Sequence, residues 1–262
     1  MGWYDDYLSK VVSLEKAIEL IKSGDRVVFM HATGEPQALV NTLIKNKEKY
    51  KNVEIMHMVS MGSGEYANPE MKEYFRHNCF FAGAKTRDAI AEGRADFTPC
   101  FFSEIPRLFK DNYIEVDVAL VQVSPPDKHG YCSLGISVDY TKSACECAKI
   151  VIAQVNKNMP RTHGESFLHV SDIDCFVENN EPILELKVPK ITDIEKAIGE
   201  YCTSLIDNGA TLQLGIGSIP DAILMFLKDK KDLGIHSEMI SDGIIDLIES
   251  GIINNSNKQS KY

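Results

Sequence analysis

Two stretches of this chain spell out the same succession of elements. Residues 13–18 read SLEKAI and residues 193–198 read DIEKAI. Each opens an amphipathic pattern, with Leu14, Ala17, Ile18 and Ile21 on one helical face in the first copy. Ser13 and Asp193 are the expected N-caps, since a short side-chain oxygen there accepts a free N–H of the first turn. Gly24 and Gly209 are expected at the left-handed position that closes each helix. A short apolar strand follows, at 26–30 in the first copy and 211–214 in the second. Each strand enters a glycine-containing loop and an apolar helix, with Pro36 or Pro220 at or near its first position, where a missing N–H costs nothing. A second strand completes each unit, at 53–58 and at 233–238.

Strand, crossover helix, strand is a βαβ unit, so the sheet should be mainly parallel and buried on both faces. The expected class is therefore α/β, with two similar open, mainly parallel-sheet domains. The first copy continues with a strand at 80–83, a helix at 86–92, a strand at 116–123, an ordered segment at 131–137, a helix at 139–148 and a strand at 150–154. A proline-marked linker at 181–189 ends it. Residues 1–187 are thus expected to form an N-terminal domain. Residues 190–262 would be the start of a C-terminal one, left incomplete, because the second copy has only begun when the polar stretch 254–262 is reached. Chance similarity between two ordinary helix–strand units is the competing reading.

Charge narrows the function classes. The chain carries 28 basic against 38 acidic residues, a formal charge of -10. Bulk nucleic-acid binding relies on a basic face and is not expected. A small anionic ligand remains compatible, because a local site can be positive on an acidic protein. No run approaches the roughly 20 apolar residues of a membrane span. The opening MGWYDDYLSK is acidic and aromatic, unlike a secretory signal. Seven cysteines with no CxxC pair fit reduced thiols of a cytoplasmic protein. None of the seven histidines has HExxH or zinc-ligand spacing, so no metal is expected. Phosphate-loop, nucleophile-elbow and kinase signatures are absent from the sequence as well.

Three segments have the composition of a site. The loop QLGIGSIP, with Gly215, Ile216, Gly217, Ser218 and Ile219, leaves a strand and opens a helix. Glycines there let backbone N–H groups approach a ligand, and a helix N-terminus favours negative charge. A tight strand-to-helix turn explains the same spacing. Glu238 stands at the end of the next expected strand, where the first copy has Met58. Parallel strands place their carboxyl ends on one edge, and ligands bind there. A carboxylate beside loop amides can serve as a nucleophile whose oxyanion product the amides stabilise. A strand-end acid that simply faces water fits equally. The third segment, SPPDKHGYCSLG at 124–135, must be held in shape at a strand end, either as a substrate-lining or as a domain-interface loop.

Taken together, GDRVVFMHATGEP, TRDAIAEGRADFTPCFFSEIP, VDVALVQVSPPDKHGYCSLGISVDYT, QLGIGSIPDAIL and GIHSEMISDGIIDL resemble the acetyl-CoA hydrolase/transferase family over residues 18–253. The resemblance implies two similar α/β domains. It further implies ping-pong transfer of CoA to a short-chain carboxylate of the 4-hydroxybutyrate, butyrate or acetate type. Glu238 would be the nucleophile that becomes a glutamyl-CoA thioester, and Gly215, Ile216, Gly217, Ser218 and Ile219 would contact CoA. Coenzyme A and acyl-CoA enter as substrates, with no permanently bound cofactor. The oligomeric state stays open, a homo-oligomer included. Hydrolysis by water, a non-catalytic remnant, and a sugar-phosphate isomerase or sensor on a related fold are the competing functions.

Overall fold

A computed structural model describes residues 2–187 and 190–259. Pro189 of the expected linker and residues 260–262 of the polar tail lie outside the described residues. The chain divides into two compact units, Met1–Glu185 and Leu186–Tyr262.

Among the described residues, nine strands and six α-helices make up the first unit. The strands are β1 (Arg26–Phe29), β2 (Val53–His57), β3 (Phe75–Cys79), β4 (Ala95–Phe97), β5 (Val118–Val123), β6 (Tyr131–Ser133), β7 (Ile150–Val155), β8 (Phe167–His169) and β9 (Cys175–Glu178). The helices are α1 (Trp3–Lys10), α2 (Leu14–Ile18), α3 (Gln37–Lys45), α4 (Arg87–Ala91), α5 (Ile105–Lys110) and α6 (Asp139–Cys147). Seven strands form one sheet in the order β4-β3-β2-β1-β5-β7-β9. Every neighbouring pair in it is parallel. Consecutive residues of the central strands point to opposite faces, and both faces are covered. Val27, Phe29 and Leu120 pack with Ile18 of α2 and with Leu39 and Leu43 of α3. Met30, Ala119 and Val121 pack with Tyr7 of α1 and Cys145 of α6. This two-sided burial explains why β5, VALVQV, is apolar at five of six positions and buried at all of them.

The first helix closes on the last strand. Tyr7 Oη donates to Glu178 Oε1 at 2.6 Å, and the Val12 amide donates to the Phe176 carbonyl at 2.8 Å. The segment 124–135 is held as the sequence suggests. β6 pairs antiparallel with β8, and Asp127 accepts from the amides of His129 and Tyr131 and from Arg161 at 2.6–3.0 Å. Glycine suits position 135, because its φ is +63° and a Cβ would fall 2.8 Å from the Pro160 carbonyl oxygen.

The second unit holds α7 (Asp193–Ser204), β10 (Thr211–Leu212), α8 (Ser218–Met225), β11 (Gly234–Ile235) and α9 (Gly243–Glu249). Its core is Leu214, Leu224, Leu227, Leu233, Ile244, Leu247 and Ile253. β10 and β11 are parallel, and the register repeats that of the first unit. Arg26 and Val27 face Glu54 and Ile55; Thr211 and Leu212 face Gly234 and Ile235.

Several expectations change in detail. Gly24 and Gly209 do not close their helices, which end earlier, at Ile18 and Ser204. Both are left-handed (φ +87° and +79°), and they act in a loop clasp: their amides donate to the carbonyls of Lys51 and Lys231 at 3.0 and 2.9 Å. Ser13 caps its helix by accepting from the Lys16 amide. In the second copy the cap is Thr192 rather than Asp193, because Glu195 reaches back to the Thr192 amide at 2.6 Å and completes a capping box. Pro36 is the N-cap residue of α3, and Pro220 is the third residue of α8. The strand expected at 80–83 lies instead at β3, where Arg76 is exposed and Asn78 half-buried. That polar alternation hides a strand better than the apolar Phe80–Phe81 pair does. The short β4 and β9 were not expected. β11 covers only two residues, so Glu238 stands in a loop beyond it.

Gly199 of α7 lies against the backbone of α8. A Cβ there would meet the Ala222 carbonyl carbon and oxygen at 2.8 Å. Replacing a mid-helix glycine by alanine gains about 0.5–1 kcal/mol of helix stability. Overpacking against an unyielding backbone costs about 1–3 kcal/mol, so the clash should prevail. Gly199→Ala is expected to lower the urea midpoint of the second unit, read by hydrogen exchange of α7 and α8 amides, and to leave the first unit unchanged.

Candidate active site

In the second unit the glycine loop and Glu238 come from the two successive strand ends. A cleft of about 520 Å³ is lined by Gln213, Ile235, His236, Ser237, Glu238 and Lys258. An adjoining cavity of about 280 Å³ adds Leu214, Gly215 and Met239 to Gln213, Ser237 and Glu238. The structure therefore brings Glu238 and Gly215 to one opening. Ile216, Gly217, Ser218 and Ile219 continue around the loop into α8 and do not line these cavities. Ile216 and Ile219 are 40% and 42% exposed.

Two serine side chains stitch the opening together through three hydrogen bonds. Ser237 Oγ donates to the Leu214 carbonyl at 2.7 Å and accepts from the Leu214 amide at 3.2 Å. Ser241 Oγ donates to Asp221 Oδ1 in the first turn of α8 at 2.8 Å. The two glycines differ in kind. Gly217 has φ +120° and ψ -177° as the N-cap of α8, a conformation essentially limited to glycine. Gly215 has no such restriction, and the nearest atom to a Cβ built on it is Pro220 Cγ at 3.7 Å.

The first unit has a polar edge of its own at the strand ends after β1 and β2. His31 Nδ1 lies 3.0 Å from Asp139 Oδ2. Asp139 also accepts from Ser137 Oγ and from the Thr141 amide and hydroxyl. Burial opposes its ionisation, but His31 and these donors hold its carboxyl below the usual range. Glu35 is buried, and its Oε2 accepts from Ser60 Oγ at 2.6 Å and the Gly62 amide at 3.3 Å. His57 Nε2 meets Tyr66 Oη at 2.5 Å and stacks on His77 at 4.4 Å between ring centroids. Burial, with the neighbouring imidazoles, keeps His57 far below its ordinary value, and burial pushes His77 down to about 4. None of these groups stood out in the sequence. The 108-residue gap between His31 and Asp139 is closed only by the fold, which brings the loop after β1 to the first residue of α6.

Among the described residues no cluster of three or more His, Cys, Asp or Glu could hold a metal ion, and no helix is long and apolar enough to cross a membrane. All seven cysteines are free.

Residues 1–186 match the model of the acetyl-CoA hydrolase/transferase N-terminal domain. The chain belongs to this family. It is 62% identical over 98% of its length to 4-hydroxybutyrate coenzyme A transferase of Clostridium kluyveri, of which it covers 60%. It is 42% identical over 97% of its length to succinyl-CoA:cyclohexane-1-carboxylate CoA transferase of Geobacter metallireducens, covering 58% of that protein. The crystal structure of 4-hydroxybutyrate CoA-transferase from Porphyromonas gingivalis superposes with a TM-score of 0.86 at 41% identity, covering 98% of this chain and 61% of that one. The chain thus spans about 60% of the length of these transferases.

Glu35 yields a pH prediction. Burial raises its carboxyl above the ordinary range, outweighing the hydrogen bonds from Ser60 and Gly62. The folded state therefore holds this proton more tightly than the unfolded chain. The resulting stability is fully present below the unfolded value of about 4.3 and is lost as pH rises through the raised folded value. Glu35→Gln should remove that loss. Urea midpoints of the first unit measured between about pH 4 and 7 should then fall less with rising pH in the variant than in the wild type. Parallel curves would show that Glu35 does not titrate between the two states.

Proposed function

We propose that this chain carries the nucleophile and the glycine loop of a CoA-transferase that moves CoA between an acyl-CoA and a short-chain carboxylate. The observation that carries this reading is the convergence of Glu238, Gly215 and Ser237 on one cleft at the ends of β10 and β11. The repeat sharpens it: the equivalent position of the first unit holds Met58, so the carboxylate is not a requirement of the fold. The relatives described above are named for transfer of CoA to 4-hydroxybutyrate or to cyclohexane-1-carboxylate, which supports carboxylic acids as acceptors. Residues 1–187 then serve as the N-terminal transferase domain and residues 190–262 as the opening part of a C-terminal one.

The chemistry follows from the groups present. One Glu238 oxygen adds to the thioester carbonyl carbon, the C–S bond breaks, and CoA leaves as the thiolate. The product is a mixed acyl–glutamyl anhydride. The thiolate then adds to the Glu238 carbonyl carbon, the acyl carboxylate leaves, and a glutamyl-CoA thioester remains. An incoming carboxylate repeats these steps in reverse and departs as its own CoA ester. Splitting the exchange through a covalent intermediate replaces one difficult attack by easier ones. Loop amides offered by Gly215–Ser218 would stabilise the oxyanions formed on the way. Keeping the thioester requires that water be kept from it.

Incubation with butyryl-CoA followed by borohydride should reduce the glutamyl thioester, and peptide mass spectrometry should find the change at Glu238 alone. Glu238→Gln should not be modified, because an amide cannot form the anhydride. Reduction at a different carboxylate, or none at all, would sink the assignment.

The glycines separate binding from folding. Gly215→Val has room for its first carbon but should block close approach of a thioester. Loss of one oxyanion donor elsewhere costs about 10²–10³ in rate, and a similar fall in CoA loading is expected with an unchanged melting temperature. Gly217→Ala forces a side chain into a glycine-only conformation worth about 1–3 kcal/mol of strain, so it should lower both. Unchanged loading in both variants would mean that the loop is only a turn.

A further inference from the structure

We infer that Ser237 is the positioning residue for Glu238: its hydroxyl replaces a rung of the parallel ladder and so holds the strand-end turn bearing the carboxylate open beside the glycine loop. The inference rests on the reading of Glu238 as nucleophile for its catalytic consequence, but not for its geometry.

In a regular parallel pair, the N–H and C=O of one residue bond to the two residues that flank its partner on the next strand. β10 and β11 obey this as far as the His236 amide, which donates to the Leu212 carbonyl at 2.9 Å. The next rung of that pattern would join Leu214 to the carbonyl of residue 236 and the amide of residue 238. The structure does something else. The Leu214 amide donates to Ser237 Oγ at 3.2 Å, and the same hydroxyl donates back to the Leu214 carbonyl at 2.7 Å. A hydroxyl offers one donor and two acceptor sites, so a single side chain serves both main-chain groups of Leu214. Those groups require partners, because Leu214 is buried at 8% exposure. The main chain of Glu238 is thereby excused from the ladder, and Glu238 turns out, exposed, into the cleft.

The first unit fills the equivalent place with different residues. The position of Ser237 is taken there by His57, a residue of β2, whose ring goes to Tyr66 instead. The two chain segments stay together past the strand ends: the Ala32 amide donates to the Val59 carbonyl at 2.9 Å, and Ala32 forms a parallel bridge with Ser60. Met58, the counterpart of Glu238, is half-buried. The rung equivalent to that of Leu214 is bridged by a hydroxyl in the first unit too, but a distant one: Tyr140 Oη accepts from the Met58 amide at 3.2 Å and donates to the Phe29 carbonyl at 3.0 Å, whereas in the second unit the hydroxyl belongs to the residue next to Glu238.

Ser237→Ala would leave Leu214 without its partner. Either its amide opens to solvent, or the ladder closes by one rung and draws Glu238 into the strand. Both outcomes move the carboxylate, and a misplacement of about 1 Å can cost about 10² in rate. The test combines amide exchange at residues 214 and 238 with the rate at which Glu238 is loaded from butyryl-CoA, in the wild type, Ser237→Ala and Ser237→Thr. The alanine variant should lose protection at Leu214 or gain it at Glu238, and its loading rate at saturating butyryl-CoA should fall about 10²-fold. Half-saturation should change little. The threonine variant keeps the hydroxyl and should recover most of the rate. A purely steric role predicts that threonine fares as badly as alanine, and that result would overturn the inference. So would wild-type exchange at both amides in Ser237→Ala. If the wild type itself is not loaded, the nucleophile reading fails, and the exchange data alone decide whether Ser237 replaces the rung.

Discussion

Parallel strands have no hairpin to set their register, so something outside the strands must do so. In both units it is the clasp just ahead of them. A left-handed glycine, Gly24 or Gly209, donates its amide to the carbonyl of Lys51 or Lys231. The residue before that glycine, Ser23 or Asn208, accepts the amide of the same lysine through its side chain at 2.9 or 2.8 Å. Asn52 and Asp232, next in line, also take positive φ values, 51° and 57°. A one-residue slip would break all of this and turn every side chain to the opposite face. With the register fixed, the carboxyl ends of successive strands arrive together. His31, Glu35 and Glu238 owe their places to that alignment.

The two aligned edges have been put to different uses. In the first unit the edge is filled. Gln154 Oε1 and Glu181 Oε1 both accept from the Ala38 amide at 3.1 Å, supplying the start of α3 with the acceptors that Pro36 lacks. Gln122 Oε1 accepts from Gln154 and Asn156, at 3.3 and 2.7 Å. Buried amides in a satisfied network make a rigid floor. In the second unit the corresponding edge is an open cleft. Two strand-end acids show the contrast: Glu35 is buried and ties a loop by accepting hydrogen bonds, whereas Glu238 is exposed. Environment, rather than residue type, sets the two acids apart.

Much of this was legible in the sequence, because the signals were periodic. The repeat marked the βαβ units, and the run of β5, apolar at five of six positions, marked a strand buried on both faces. Glu238 and Gly215 were legible through their place at strand ends. What escaped was set by contacts distant in sequence or by polar strands. β3 carries Arg76 and Asn78 and does not look like a strand until β2 and β4 flank it. The capping role of Thr192 depends on where Glu195 turns, which a pattern of cap residues does not contain. The His31–Asp139 and Glu35–Ser60 pairs join segments whose adjacency follows from sheet order, not from spacing. Ser237 is a further case: a serine between a histidine and a glutamate has no periodicity to betray it.

The closure of α1 on β9 has a consequence for how the first unit is made. Tyr7 and Val12 meet Glu178 and Phe176, so residues at the start of that unit find their partners among its last. Central β1 must likewise wait for β5, whose Val118 faces Val27. Long-range pairing of this kind slows folding, and an unfinished sheet presents open edges meanwhile. Synthesis of nearly the whole unit therefore precedes its cooperative folding, and the nascent chain has a long window in which a chaperone can act.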